Sequence, residues 1–201
     1  MISGLTADCV REPAVPGISL TVRKAVMSDI GPILDLINGY AARGIMLPRT
    51  EFELSENIRD FTVALHQDRL AGCGALHFYS PTMGEIRSLA VHDHAKKHGV
   101  GRRLVEALLE EARNYSLHAV FAFTYVVDFF RKSGFREVER GELPLKVWKD
   151  CLRCPKFQCC DEIAVLNVLQ PEHYQAWGAR PTAAEALLTP LPITKYLSTP
   201  K

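Results

Sequence analysis

Residues 96–101 read KKHGVG, and Arg102 and Arg103 follow at once. Cations around two glycines at the mouth of a helix make a site for an anion. A helix N-terminus offers backbone N–H groups without intrahelical partners, together with a partial positive charge. Glycine lets the backbone approach an anion closely, and successive N–H groups form a concave nest. Together these features cradle phosphate or pyrophosphate. Lys96, Lys97, Arg102 and Arg103 add charge around the rim. The motif is not the dinucleotide fingerprint, which needs a third glycine, nor a P-loop, which needs G-K-[ST]. The plain alternative is a solvated basic turn that uses a glycine for its bend.

A second group with chemistry of its own is CLRCPKFQCC, which holds Cys151, Cys154, Cys159 and Cys160. Four thiolates would satisfy a structural zinc. However, adjacent Cys159 and Cys160 point in different directions if extended, and the second C-x-x-C pair of a standard site is missing. Packing thiols or a labile disulfide are the alternatives, and the expectation is no metal. Cys73 sits inside an apolar strand pattern and reads as a small core residue.

The elements that must position these residues follow from periodicity. The chain has 201 residues, enough for one domain with a sizeable core. Its 24 basic and 23 acidic residues nearly cancel, so no global field argues for nucleic acid, and the local cations point to a small anionic ligand. No apolar run approaches the roughly 20 residues that span a bilayer. The N-terminus lacks the layout of a signal peptide. A cytoplasmic protein without membrane partners is expected, and its cysteines are expected to be reduced or metal-bound.

Residues 1–18 contain REPAVPG without a hydrophobic period and read as a mobile lead-in. SLTVRKAV alternates as a strand. Ser28 and Asp29 start a helix carrying Ile30, Ile33, Leu34, Ile37 and Ala41, with Gly44 as its stop. Pro48 marks a turn, and Thr50 with Glu53 forms a capping box for a second, short helix. FTVAL and LAGCGALHFY flank the turn HQDR as a hairpin. GEIRSLAVH is a further strand, with Glu85, Arg87, Leu89 and Val91 expected on one face and Ile86, Ser88 and Ala90 on the other. After the basic loop a helix runs to Asn114 with Leu104, Val105, Leu108, Leu109 and Ala112 as its apolar stripe. HAVFAFT is a buried strand, VVDFFRKSG a short helix closed by Gly134, FREVE a strand, and EIAVLNVL a late strand. The order predicts an α/β (α+β) mixed sheet flanked by helices over residues 19–169, with residues 170–201 as a C-terminal appendage.

A strand ending SLAV, a basic x-x-G-x-G loop and a helix starting RRLVEALLEEA resemble the acetyl-CoA-binding core of the GNAT N-acetyltransferases. FFRKSGF resembles that family's aromatic-x-x-x-G-F element, and the strand order is similar as well. MLPRT, AGCGALHFYS, GEIRSLAV, VFAFTYVVDFF and LPLKVWKDCLRCPKFQCCDEIAV look like the short bacterial amino-acid acetyltransferases of the N-acetylglutamate synthase type. The resemblance implies a GNAT fold with a mixed, mostly antiparallel central sheet. It also implies acetyl-CoA as co-substrate, L-glutamate or a similar amino acid as acceptor, and the first step of arginine biosynthesis. Relatives dimerise through late strands, so either a homodimer partner or the C-terminal tail would cover the edge strand here.

By the same resemblance, backbone N–H groups from His98, Gly99, Val100, Gly101, Arg102 and Arg103 bind the pyrophosphate. Leu89, Ala90 and Val91 then lie along the pantetheine arm, where the edge groups of Leu89 and Val91 pair with it as a pseudo-strand. Acetyl transfer to an amine needs a base for the ammonium, a donor for the developing oxyanion and a proton for the leaving thiolate. Glu85 is the candidate base, against the alternative of a surface carboxylate paired with Arg87. The N–H of Leu89 is implied as the oxyanion donor. Relatives carry a tyrosine as general acid where this chain has Phe130, which keeps a place in the coenzyme site but has no proton to give. Thr124 or Tyr125 could supply the hydroxyl instead. Arg49, Arg87 and Lys146 are the candidate cations for the acceptor's carboxylates, each against the alternative of a solvated charge. Two other readings stay open. One is an acetyltransferase for another amine, and the other is a non-catalytic sensor of acyl-CoA.

Overall fold

The computed structural model describes residues 19–143, 156 and 159–174. The lead-in, Lys146, Cys151, Cys154 and most of the appendage lie outside them. The strands are β1 (Thr21–Lys24), β2 (Phe61–His66), β3 (Arg69–Ser80), β4 (Met83–Val91), β5 (Ala119–Thr124), β6 (Arg136–Glu137) and β7 (Ile163–Val168). The helices are α1 (Ile30–Ala41), α2 (Glu51–Asn57), α3 (Val100–Asn114) and α4 (Val127–Arg131). The sheet order is β1-β2-β3-β4-β5-β7-β6, antiparallel at every pair except the parallel β4–β5. This is the mixed, mostly antiparallel sheet that the sequence pattern predicts.

Local chemistry sets the element ends. The Asp29 carboxylate accepts the Val26 N–H at 2.8 Å and two Arg23 guanidinium bonds at 2.7 and 3.0 Å, which fixes the entry to α1. The Thr50 hydroxyl accepts the Glu53 N–H while the Glu53 carboxylate accepts the Thr50 N–H, the reciprocal box expected from sequence. Gln67 and Asp68 carry φ of 50° and 60° in the β2–β3 turn, the left-handed pair that matches strand twist in a two-residue hairpin. The expected strand FREVE shortens to Arg136–Glu137, because the chain leaves the sheet edge for a 3-10 turn at Arg140–Glu142.

Helices cover both faces of the sheet. Ile33, Ile37 and Leu54, from α1 and α2, pack with Phe61, Val63, Cys73, Ala75 and Ala90. On the other face Val105, Leu108, Leu109 and Ala112 of α3 pack with Leu76, Ile86 and Val120. Gly72 and Gly74 bring α3 close to β3: a Cβ at Gly74 would meet Leu108 at 3.1 Å, and one at Gly72 would meet Leu104 at 3.2 Å. Burial pushes the Cys73 thiol up to about 12, as fits a core residue. Among the described residues no helix is long and apolar enough to cross a membrane.

One expectation about β4 is overturned. Ala75 pairs with Arg87 and Cys73 with Ala90, so Gly74 stands opposite both Ser88 and Leu89. Ser88 takes up the extra residue with φ 53°. Such a bulge reverses the alternation beyond it. Glu85 and Arg87 therefore share their face with Ala90, which packs toward α1. Leu89 and Val91, expected beside Glu85, turn toward α3 with Val100 and Leu104.

The Arg23–Asp29 pair gives a pH-dependent prediction. The guanidinium bonds hold the Asp29 carboxyl below the usual carboxylate range, against the opposing effect of burial. A depressed carboxyl stabilises the fold above its unfolded pKa and loses that contribution as pH falls through the folded value. Asp29→Asn is expected to cost about 1 kcal/mol in urea unfolding at neutral pH, with the gap closing below about pH 4. A gap unchanged at about pH 2.5 would remove the ion pair as its cause.

Candidate active site

Beyond Glu85 and Phe121, β4 and β5 stop pairing and diverge. A cleft of about 880 Å³ opens in this gap. One wall is the end of α1 and the loop through Arg49. The others are the start of α3, the end of β5 with α4, and a group made of Arg140, Lys156, Cys160 and Glu162. The floor is β4 from Glu85 to Val91.

At one end the cleft meets the start of α3. Gly99 precedes the helix with φ 79°, and no side chain caps it. Helix geometry then leaves the first-turn N–H groups for a ligand. Arg103 is the exception, since its N–H already donates to the Gly99 carbonyl at 3.0 Å, so only its side chain can serve an anion. Lys96, Lys97, Gly99, Val100, Gly101 and Arg102 line the cleft, whereas His98 and Arg103 do not. Part of the positive charge is already engaged. The Lys96 ammonium sits 2.5 Å from Asp93 and over the Tyr40 ring, and Arg102 faces Glu106 at 3.4 Å. Asp93 raises the Lys96 pKa and is itself held below the ordinary range. Gly101 keeps the passage open, because a Cβ there would stand 3.3 Å from the Phe129 ring. Along the floor, the Tyr40 hydroxyl donates to the Val91 carbonyl at 2.6 Å, which occupies one of that edge group's lone pairs.

At the other end Glu85 is 8% exposed, beside His77 on β3 and Phe121 on β5. Arg87 lies 3.9 Å from Asp60, whose carboxylate also bonds His77 Nδ1 at 2.8 Å. Arg49 is set by its backbone. Asn38 Nδ2 donates to its carbonyl at 3.0 Å, and its N–H donates to Asn38 Oδ1 at 2.9 Å. The two candidate hydroxyls differ. Thr124 is buried and its Oγ1 accepts the Val126 N–H at 2.9 Å. The Tyr125 hydroxyl donates to Asp161 at 3.0 Å and accepts from Lys156 at 3.2 Å. Burial is the largest influence on Tyr125 and raises its pKa, so the phenol keeps its proton at neutral pH. Phe130 is buried against Phe129 and Phe135 and closes the apolar side of the cleft.

The cleft thus gathers Arg49, Glu85, Arg87, the β4 floor, most of the basic loop, Thr124, Tyr125 and Phe130. Sequence reasoning missed Asn38, Tyr40, Arg140 and Glu162, and it read Cys160 only as part of the cysteine cluster. Arg140 Nη2 donates to the carbonyls of Glu162 and Cys160 at 2.6 and 3.3 Å, and to Cys160 Sγ at 3.1 Å. Burial is the largest influence on the Glu162 carboxyl and pushes it above the ordinary range, while Arg140 pulls it back. Cys159 and Cys160 are free thiols, and among the described residues no metal-ligating cluster forms.

Residues 37–135 match the acetyltransferase (GNAT) family. The chain is 39% identical to an uncharacterized N-acetyltransferase of Chlorobaculum tepidum, over 77% of this chain and 100% of that protein. It is 37% identical to an amino-acid acetyltransferase of Mycobacterium tuberculosis, over 66% of this chain and 77% of that one. Among solved structures, the N-acetylglutamate synthase of Neisseria gonorrhoeae, complexed with coenzyme A and N-acetyl-glutamate, superposes with a TM-score of 0.69 at 29% identity. That superposition covers 76% of this chain and 35% of the Neisseria chain.

Proposed function

The chain belongs to the GNAT family of acetyltransferases, and we propose that within it this protein moves the acetyl group of acetyl-CoA to the α-amine of L-glutamate. In this reading the product enters arginine biosynthesis. One observation carries the proposal. A buried carboxylate, Glu85, shares a sheet face with Arg87 at the point where two parallel strands part, in the cleft whose opposite end is an uncapped, glycine-led helix start. The Mycobacterium relative's name and the Neisseria complex support an amino-acid acceptor.

The residues fit coenzyme A. N–H groups of Gly99 to Arg102 would hold the pyrophosphate, with Lys97 and Arg102 as counter-charges. The floor from Leu89 to Val91, walled by Phe129 and Phe130, suits an extended apolar-edged arm. Acetyl-CoA supplies an activated thioester when bound. Glu85 then takes the proton from the acceptor ammonium, directly or through a water. The Leu89 N–H, at the bulge, is the donor for charge on the thioester oxygen. Tyr125 supplies a proton to the departing thiolate, and Lys156, hydrogen-bonded to the same hydroxyl, replaces it. Thr124 holds the chain turn after β5 through the Val126 N–H and is the lesser candidate. Arg49 and Arg87 bind acceptor carboxylate.

The direct test is mass-spectrometric detection of product from acetyl-CoA and a panel of the common amino acids. N-acetylglutamate is expected to dominate, and another dominant product would overturn the acceptor assignment. Glu85→Gln is expected to lower kcat by about 10²–10⁴ while acetyl-CoA affinity, measured by calorimetry, holds. Equal loss of both would end its role as base. For Arg49→Ala the expected result is a glutamate KM raised about tenfold or more with acetyl-CoA binding kept. An unchanged KM would take Arg49 out of the acceptor site.

A further inference from the structure

Arg140 stands in the 3-10 turn after β6 and lines the cleft together with Phe123, Cys160 and Glu162. Among the described residues, its guanidinium is hydrogen-bonded through one nitrogen only. Nη2 makes the three bonds to the Glu162 carbonyl, the Cys160 carbonyl and the Cys160 thiol, and the guanidinium carbon lies 5.7 Å over the Phe123 ring. Nη1 and Nε make no hydrogen bond to a described residue. Nη2 belongs to both parallel edges of the guanidinium, so Nη1 and Nε offer a carboxylate single charge-assisted N–H donors, and fixing the group in advance lowers the ordering cost of binding. Arg140 therefore has the donors and the rigidity for a carboxylate, in a half-buried setting.

Its position relative to Glu85 follows from the sheet. β5 runs parallel to β4 with Phe121 beside Glu85, and alternation puts Phe123 on the same face as Phe121. The two strands part beyond the Glu85–Phe121 pair, and the cleft they open is lined by both Glu85 and Arg140. A short acidic amino acid whose amine is held at Glu85 would extend its side chain along this cleft toward Arg140. The acids nearby leave this cation in place. Asp161 is taken by Tyr125 and Lys156, and Glu162 meets Arg140 through its carbonyl rather than through a carboxylate hydrogen bond.

We infer that Arg140 is the specificity-determining residue that receives the side-chain carboxylate of the acceptor. The Cys160–Glu162 backbone and the Phe123 ring hold its guanidinium in place, and Arg49 and Arg87 serve the α-carboxylate. The inference rests on the amino-acid acetyltransferase reading of this cleft.

The test compares glutamate with glutamine as acceptors for the full chain and its Arg140→Gln and Arg140→Lys variants. Acetyl-CoA affinity is measured alongside by calorimetry. Arg140→Gln is expected to lower the glutamate-to-glutamine ratio of kcat/KM by about tenfold or more, through the glutamate KM. The glutamine KM and acetyl-CoA affinity are expected to stay within about twofold of wild type. Arg140→Lys keeps the charge without the fixed N–H directions of the guanidinium and is expected to restore part of the preference. Because both acceptors are measured on one sample, a loss of folded protein cancels from the ratio.

An unchanged ratio, or an equal rise in both KM values, overturns the inference while the glutamate reading stands. If the wild type prefers a different acidic amino acid, the glutamate reading fails. The inference then holds if Arg140→Gln abolishes preference for that acid over its amide, and falls if it does not. If the wild type takes only neutral amino acids or amines, both fall.

Discussion

The short parallel contact between β4 and β5 is the constraint on which the site depends. The two strands share a register only from Met83 to Glu85 and from Ala119 to Phe121, then separate. Buried backbone N–H and C=O groups need partners. A gap inside a sheet is therefore tolerable only where something else supplies them. β5 solves this on its outer side by pairing along its full length with β7. β4 solves it in part through β3 and in part through the Tyr40 hydroxyl on the Val91 carbonyl. What is left faces the cleft, where an extended ligand can complete the pairing.

The bulge at Ser88 divides the floor by function. Before it, side chains on the α1 face are Glu85 and Arg87, the groups proposed for proton transfer and carboxylate binding. After it, Leu89 and Val91 point toward α3 and tie the floor to the helix whose N-terminus ends the cleft. A regular strand would carry the same alternation throughout and put four large side chains on the acceptor's face. With the extra residue, one strand serves a polar acceptor site and an apolar helix interface in succession.

Much of the fold was legible in the sequence because local rules dominate there. The α3 stripe, the Thr50–Glu53 box and the HQDR hairpin are each decided within a few residues, and all are present. The bulge was not legible, because Ser88 has no residue-type signature for a positive φ and the letters around it alternate without a break. Asn38 was hidden for a different reason. It lies on a helix and acts through its amide on the backbone of a loop residue eleven positions on. Arg140, Cys160 and Glu162 come together because β7 returns antiparallel beside β6. A nonlocal pairing of this kind leaves no spacing in the sequence. The basic loop was visible as a charge cluster, but the share of that charge engaged by Asp93 and Glu106 was not.

That engagement bears on how the cleft discriminates. The chain is nearly neutral, and several cations around the site have an acid beside them: Lys96 has Asp93, Arg102 has Glu106, Arg87 has Asp60, and Lys156 has Asp161. Paired charges give little long-range pull, since each acid cancels most of its partner's field beyond a Debye length of ~10 Å. Selection among anionic acceptors must then come from short-range geometry. Arg140 differs from the others because its hydrogen bonds go to carbonyls and a thiol, which orient a guanidinium without neutralising it. Burial raises the Glu162 carboxyl while the Arg140 charge pulls it back, and its carboxylate makes no hydrogen bond to the guanidinium. A cation fixed by neutral groups keeps its charge and its direction, and those two properties distinguish a carboxylate from its amide.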